Sequence, residues 1–209
     1  MKTKELILDR ARILFNERGS GDITVRDLAH AAGISPGNLG YHFPTLDAVT
    51  EALYYRLVAA LDAQVASAAA LPAVELSPLR AYAYARESFA VLYAYRFLML
   101  DFVRIMRRLP GVRAHFRELM ERRRVQFTGL LDVLAAGGWL EPPRYPGQYE
   151  DWVAQAGLIG DFWIASAEIL TDGGEAERIA QYSRLFLATL APLLTERGLA
   201  EIRPLLAGG

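Results

Sequence analysis

Between residues 3 and 61 the apolar positions recur at helical spacing, in four blocks separated by short polar breaks. Ile7, Leu8, Ala11, Leu14 and Phe15 form one stripe, which predicts an amphipathic helix over residues 3–18, stopped by Gly19. Val25, Leu28, Ala29 and Ala32 then follow the i, i+3, i+4, i+7 pattern of a second, shorter helix. Thr24 is its N-cap, and Asp27 sits three residues on, where a capping-box acid reaches back. Gly33 falls where a left-handed C-cap costs least. A third helix restarts at once, with Ser35 as N-cap and Pro36 at the first helical position, where a missing N–H does no harm. A fourth is capped by Thr45 and carries Leu46, Val49, Leu53, Leu57 and Leu61 at spacings of three and four.

The third helix differs from an ordinary core helix. Gly37, Asn38, Gly40, Tyr41 and His42 are small or polar, and only Leu39 and Phe43, four apart, can anchor it. Helix, short glycine turn, helix is the helix-turn-helix arrangement. A helix with two anchors and a polar tip adds little to a core, but it suits a major groove, with its N-terminal turn at the base edges. A surface helical hairpin has the same spacing, so the pattern alone leaves both readings open.

Residues 63–78 are small and apolar with two prolines, the composition of a hinge. Ser77 and Pro78 restart a helical pattern that runs to residue 136, broken near Tyr95 and at Pro110 and Gly111. Residues 137–147 read as a loop, 149–170 as a helix, 172–174 as a turn, and 175–197 as a last long helix kinked at Pro192. No strand pattern or internal repeat is present. The expected fold is all-α: a three-helix helix-turn-helix head over residues 1–48, followed by a larger helical bundle over 49–209.

Composition narrows the function classes. With 209 residues, 53% of them hydrophobic and 22% charged, the chain is a globular protein with ample core. Its formal net charge is −1, and residues 1–60 balance seven Lys and Arg against seven Asp and Glu. Tight non-specific binding to nucleic acid is therefore not written into the overall field, which leaves local spots such as Lys2, Lys4 and Arg10. Cysteine is absent, which removes disulfide and thiolate chemistry and suits a reducing cytoplasm. The opening MKTKELILDRAR is too charged for a signal peptide, and no uninterrupted apolar run reaches the roughly 18 residues of a membrane helix, so a cytoplasmic protein without a membrane partner is expected. His30, His42 and His115 are the only histidine bases, and no nucleophile or metal cluster accompanies them. No enzyme, catalytic residue, metal or cofactor is expected.

The run TVRDLAHAAGISPGNLGYHF, followed by PTLDAVTEAL, closely resembles the DNA-binding domain of the TetR/AcrR family of bacterial transcriptional regulators over residues 3–53. The later run YRFLMLDFVRIMRRLPGVRAHFRELMERR is similar to the ligand domain of one subgroup of that family. The resemblance implies a ligand-responsive regulator, most often a repressor, that binds a palindromic double-stranded operator as a homodimer and is released by a small molecule in the C-terminal domain. It places Thr24 and Arg26 near phosphates, Ser35, Pro36, Gly37 and Asn38 in the groove, and Tyr41 and His42 on the backbone. Two positions depart from the family pattern: Gly40 stands where Tyr is frequent, and Pro44, Thr45 and Leu46 stand where a Lys usually meets phosphate. A competing reading is therefore a helical ligand-binding or scaffold dimer with weak or lost DNA binding.

The second domain is rich in aromatics, with Met99, Met106 and Met120 as adaptable filler. Phe89, Tyr93, Phe97, Phe102, Met106, Phe127 and Trp163 are the candidates for lining an apolar effector pocket, with plain core packing as the alternative for each. One short reading helix covers few base pairs, so a second copy about 34 to 36 Å away is needed for specificity. The last two long helices are the expected dimer interface: Gly157 and Gly160 permit close approach, and Leu158, Ile164, Leu185, Leu190 and Leu193 supply apolar surface. Among charged residues, Asp161 and Glu168 share a helix face seven apart, Asp101 pairs most simply with Arg104 one turn on, and eight arginines lie between residues 104 and 124.

Overall fold

The first four predicted helices are present in the computed structural model, which describes residues 3–207; Lys2 lies outside them. They are α1 (Thr3–Arg18), α2 (Val25–Ala31), α3 (Pro36–His42) and α4 (Leu46–Ala69). Ile7, Leu8, Ala11 and Phe15 of α1 are buried against Leu28 and Ala29 of α2, Leu39 of α3 and Val49 and Leu53 of α4. Val25 is the exception to the predicted stripe, since at 40% exposed it lies beside the cap and not over the core. The fourth helix also runs further than its composition announced: α4 continues through the expected hinge to Ala69, and only residues 70–77 form the connection, with a 3-10 turn at Ala73–Glu75.

The body is formed by α5 (Pro78–Ala94), α6 (Arg96–Leu100), α7 (Phe102–Arg108), α8 (Pro110–Ala136), α9 (Gln148–Leu170), α10 (Glu175–Leu190) and α11 (Glu196–Ala207). The breaks at Tyr95 and Pro110 fall where expected, and Pro110 opens α8 at its first turn. An additional break at Asp101 separates α6 from α7, and its carboxylate accepts a hydrogen bond from Ser20 Oγ at 3.0 Å. At the far end the single long helix expected over 175–197 is two helices. Pro192 ends α10 instead of kinking it, because it lacks the N–H needed for continuation. Leu194 then runs extended, forms one antiparallel bridge with Leu140, and leaves Thr195 to cap α11 through Gly198 N at 3.2 Å.

Two apolar cores result. The larger is continuous from Ile7 in α1 to Tyr182 in α10, and passes from head to body through α4 and α6. The smaller joins the C-terminal part of α8, the start of α9, the end of α10 and α11 around Leu134, Leu140, Leu187 and Ile202. By length and composition α9 could cross a bilayer, and its apolar surface is divided. Trp163, Ile164 and Ala167 face the core, whereas Leu158, Phe162, Ile169 and Leu170 lie outside at 62%, 45%, 80% and 76% exposed.

The head meets the body at Phe15, which is 1% exposed and set edge-on to Phe97 with ring centroids 5.2 Å apart. Phe15→Ala removes both its burial and this contact. It should lower stability by about 3 to 5 kcal/mol, read as a lower urea midpoint at unchanged slope, whereas Val74→Ala on the exposed 3-10 turn should stay within about 0.5 kcal/mol.

Candidate functional site

The polar tip of the head is built by two caps and one glycine. Thr24 Oγ1 accepts from Asp27 N at 3.2 Å, while the Asp27 carboxylate accepts from Thr24 N at 2.8 Å and from the Thr24 hydroxyl at 2.6 Å. These bonds hold the Asp27 carboxyl below its ordinary range, chiefly through the Thr24 side chain. They also commit the one hydroxyl proton of Thr24 to α2, with Arg26 exposed beside it. Gly33 takes φ +67, and Ile34 N closes back on Ala29 O at 3.0 Å. Ser35 Oγ then accepts from Asn38 N at 3.2 Å to start α3.

On α3 the two anchors, Leu39 and Phe43, are 1% and 5% exposed, and they turn the rest of the helix outward. Ser35, Pro36, Gly37 and Asn38 are all exposed along its N-terminal turn. Tyr41 is 85% exposed, and half-buried His42 stands edge-on to it at 5.2 Å between ring centroids. Lys4 of α1 lies over the Phe43 ring at 5.2 Å, which adds a cation beside the same surface. Gly40 has open space where a Cβ would stand, so packing does not demand glycine there.

In the body, the seven aromatic and Met candidates fall into separate groups. Phe89 and Tyr93 of α5 stack on Trp163 of α9, with centroids 4.8 and 5.9 Å apart, and Tyr182 completes the cluster at 5.6 Å. A polar network covers it: Tyr93 OH donates to Glu168 at 3.1 Å, and Arg178 donates to Tyr93 OH at 3.1 Å and to Thr171 O at 3.1 Å while ion-paired with Glu168. Trp163 Nε1 is buried and has no hydrogen-bond acceptor among the described residues. Phe97 belongs to the junction with α1. Half-buried Phe102 meets Phe116 and Phe162 edge-on at 5.0 and 5.9 Å, and half-buried Met106 packs at the edge of the core. Phe127 joins none of these; it is 37% exposed on α8.

Two clefts stand out, and none of the seven candidates lines either. One, of about 70 Å³, lies at the head–body junction between Ser20, Thr50, Ile105 and Arg108. The other, about 500 Å³ and open, lies under the loop between α8 and α9, walled by Asp132, Pro142, Pro143 and Tyr149. Half of the eight arginines of this stretch are ion-paired: Arg104, Arg108, Arg123 and Arg124 pair with Asp101, Asp47, Asp62 and Glu121. Among the described residues no group of His, Cys, Asp and Glu is arranged to hold a metal.

Residues 59–202 match the family described as TetR, bacterial transcriptional repressor, and residues 7–53 match the bacterial regulatory proteins of the tetR family. The chain belongs to the TetR family. It is therefore a TetR-family transcriptional regulator, a non-enzymatic DNA-binding protein whose helix-turn-helix head precedes a helical C-terminal domain. A family member from Marinobacter aquaeolei VT8 superposes with a TM-score of 0.83 at 24% identity, over 99% of this chain and 98% of the other. The ketosteroid transcriptional regulator of Mycobacterium tuberculosis superposes at 0.69 and 19% identity, over 92% and 95%. A gamma-butyrolactone receptor does so at 0.68 and 16% identity, over 99% and 95%. No curated protein matches the sequence. At these identities the solved structures establish the fold and leave the effector open.

Residue patterns did not announce several polar contacts that cross the fold. Tyr54 OH of α4 bonds His115 Nδ1 of α8 at 2.9 Å, and burial pushes the Tyr54 phenol up. Asn16 and Arg12 of α1 reach Ala94 O at 2.8 and 3.1 Å. These pairs are 61 to 82 residues apart, so no local spacing encodes them.

The two carboxylates predicted to share a face on α9 have different surroundings. Glu168 is ion-paired, while Asp161 is half-buried with no hydrogen-bond or ion-pair partner among the described residues, and burial pushes its carboxyl from 3.8 up to about 6. The folded chain thus binds this proton more tightly than the unfolded chain, and stability falls as pH rises between those values. Asp161→Asn should gain roughly 2 kcal/mol at about pH 8 and nothing at about pH 3, measured by urea unfolding across pH.

Proposed function

We propose that the chain is a homodimeric, cytoplasmic repressor. Its head, residues 1–48, reads a palindromic double-stranded operator, and its C-terminal domain, residues 49–209, binds a small, largely apolar effector that releases the DNA. The observation that carries this reading is the division of labour on α3, where two buried anchors hold an exposed polar turn outward. A helix of that kind contributes to recognition more than to stability. Within the turn, Ser35, Pro36, Gly37 and Asn38 face the groove, and Arg26, Tyr41 and His42, with Thr24 at the cap, approach phosphates. The charge balance of the head favours a moderate grip, with two heads acting together.

The unpartnered apolar surface of α9 and α10 supports dimerisation. Leu158 and Leu185, named from the sequence, are 62% and 43% exposed, and Phe162 adds to them at 45%. Ile164, Leu190 and Leu193 are instead buried within the chain, which assigns them to its own core. Gly157 and Gly160 have open space beside them and permit a close helix approach. In the ligand domain the stacked Phe89, Tyr93 and Trp163 mark the apolar effector region, with Phe97, Phe102 and Met106 leading from it toward the head and Phe127 on the outer side of α8. An effector releases DNA only by binding the released state more tightly.

Asn38→Ala and Tyr41→Ala should each weaken binding to the promoter fragment beside the protein's own gene by about ten- to a hundredfold in fluorescence anisotropy, at unchanged helicity. Affinity equal to wild type would remove these residues from the reading surface. Leu158→Glu combined with Phe162→Glu should convert the dimer to a monomer in analytical ultracentrifugation, because two charges on an apolar interface lose their hydration.

A further inference from the structure

Besides the continuous α4 and the core shared across it, the head is tied to the body at two places of different character. One is a pivot. Asn16 fits its carboxamide into the break between α5 and α6, donating to Ala94 O at 2.8 Å and accepting from Phe97 N at 3.1 Å. It thereby satisfies a carbonyl that α5 leaves free and an N–H that α6 leaves free. Phe15 packs on Phe97 beside it, and Arg12 also donates to Ala94 O. This cluster fixes where the head sits, but contacts gathered around one point leave rotation about that point poorly restrained.

The second tie is α7. Arg104 and Arg108 are one helical turn apart on the same face, on either side of the buried Ile105, and each grips a different part of the head. Arg104 donates to Ser20 Oγ at 3.2 Å in the loop between α1 and α2, and the Asp101 carboxylate holds it there. A Cβ on Gly21 would overlap the end of the Arg104 side chain, so the guanidinium would have to move off the loop to admit it. Arg108 Nε approaches both Asp47 oxygens, at 2.8 and 2.9 Å, in the first turn of α4. Between the two grips lies the junction cleft of about 70 Å³.

We propose that Arg104 and Arg108 are positioning residues: by holding the α1–α2 loop and the start of α4 at once, they set the rotation of the DNA-reading head about the Asn16–Phe97 pivot. Both arginines are solvent-accessible, 47% and 55% by side chain, so they add little to global stability. Their effect lies in restraining the head's rotation within the play that α4 and the shared core leave it, and a shift of α7 moves both grips together.

The chain has no cysteine, so two introduced ones give unique spin-label sites. Exposed His30 in the head and exposed Ala90 on α5 serve, as His30→Cys and Ala90→Cys in the full chain diluted with unlabelled chain. The wild-type background should give one narrow distance distribution. Arg104→Gln with Arg108→Gln should at least double its width while the thermal midpoint moves by only a few degrees. Gly21→Ala, which displaces Arg104 without changing any charge, should broaden it in the same way. The reversed pair, Asp47→Arg with Arg108→Asp, should be narrower than Arg108→Asp alone. A double-Gln distribution as narrow as wild type, or no recovery in the reversed pair, overturns the proposal.

A second arm rests on the DNA-binding reading and uses unlabelled chains on operator duplexes whose half-site spacing is changed by one base pair. Wild type should discriminate between spacings at least tenfold, and the double-Gln chain less than threefold. A broadened head with unchanged spacing preference also counts against the proposal. If wild type binds none of the duplexes, the failure falls on the operator reading, and the distance measurement decides the clamp by itself.

Discussion

One helix has to satisfy two environments at once, and the architecture depends on it. The N-terminal turns of α4 bury Val49, Leu53 and Leu57 in a core shared with α1 and α3, while Tyr54 among them is drawn against His115 of α8 and, further along, Asp62 pairs with Arg123. Because α4 is continuous over 24 residues, displacement at its body end cannot be absorbed in a loop before it reaches the head. The single apolar cluster running from α1 to α10 is the energetic expression of the same constraint. Head and body share a core, so the reading surface inherits its orientation from the bundle.

Within that frame the head sacrifices helix quality for presentation. The reading helix, α3, has seven residues, one fully buried side chain and two glycines, a composition that would not hold a helix in isolation. Its conformation is imposed from outside by the Ser35 cap, the left-handed Gly33 and the Leu39 and Phe43 anchors. Rigidity supplied by neighbours leaves the outward face free to be polar. The α2 cap works by the same economy, and in doing so it occupies the hydroxyl that the family pattern would direct to phosphate.

The body shows how aromatic richness can mean packing and opportunity together. Phe89, Tyr93, Trp163 and Tyr182 stack tightly, and the Tyr93, Glu168 and Arg178 network seals one side. In the proposed reading these rings mark the effector region, and an effector acts only by binding one of two arrangements more tightly. The exposed apolar side of α9 has the opposite character: its Leu158, Phe162 and Ile169 remain 62%, 45% and 80% exposed.

Local chemistry was legible from the sequence alone. The caps at Thr24, Ser35, Thr45 and Ser77, the glycine turn at Gly33, the break at Pro110 and the outward face of α3 all follow from interactions within four residues, which a linear pattern contains. The all-α class and the order of head and bundle follow from the same periodicity. Tertiary structure decided whatever depends on distant partners. It paired Leu194 with Leu140 beyond the proline break, divided the seven aromatic and Met candidates among stacked core, junction and surface, and buried Ile164, Leu190 and Leu193 in the chain's own interior. It also joined Asn16 to Ala94 and Asp47 to Arg108. Periodicity tells which face of a helix is apolar, but several faces of a bundle are apolar together, and only packing fixes which of them meet.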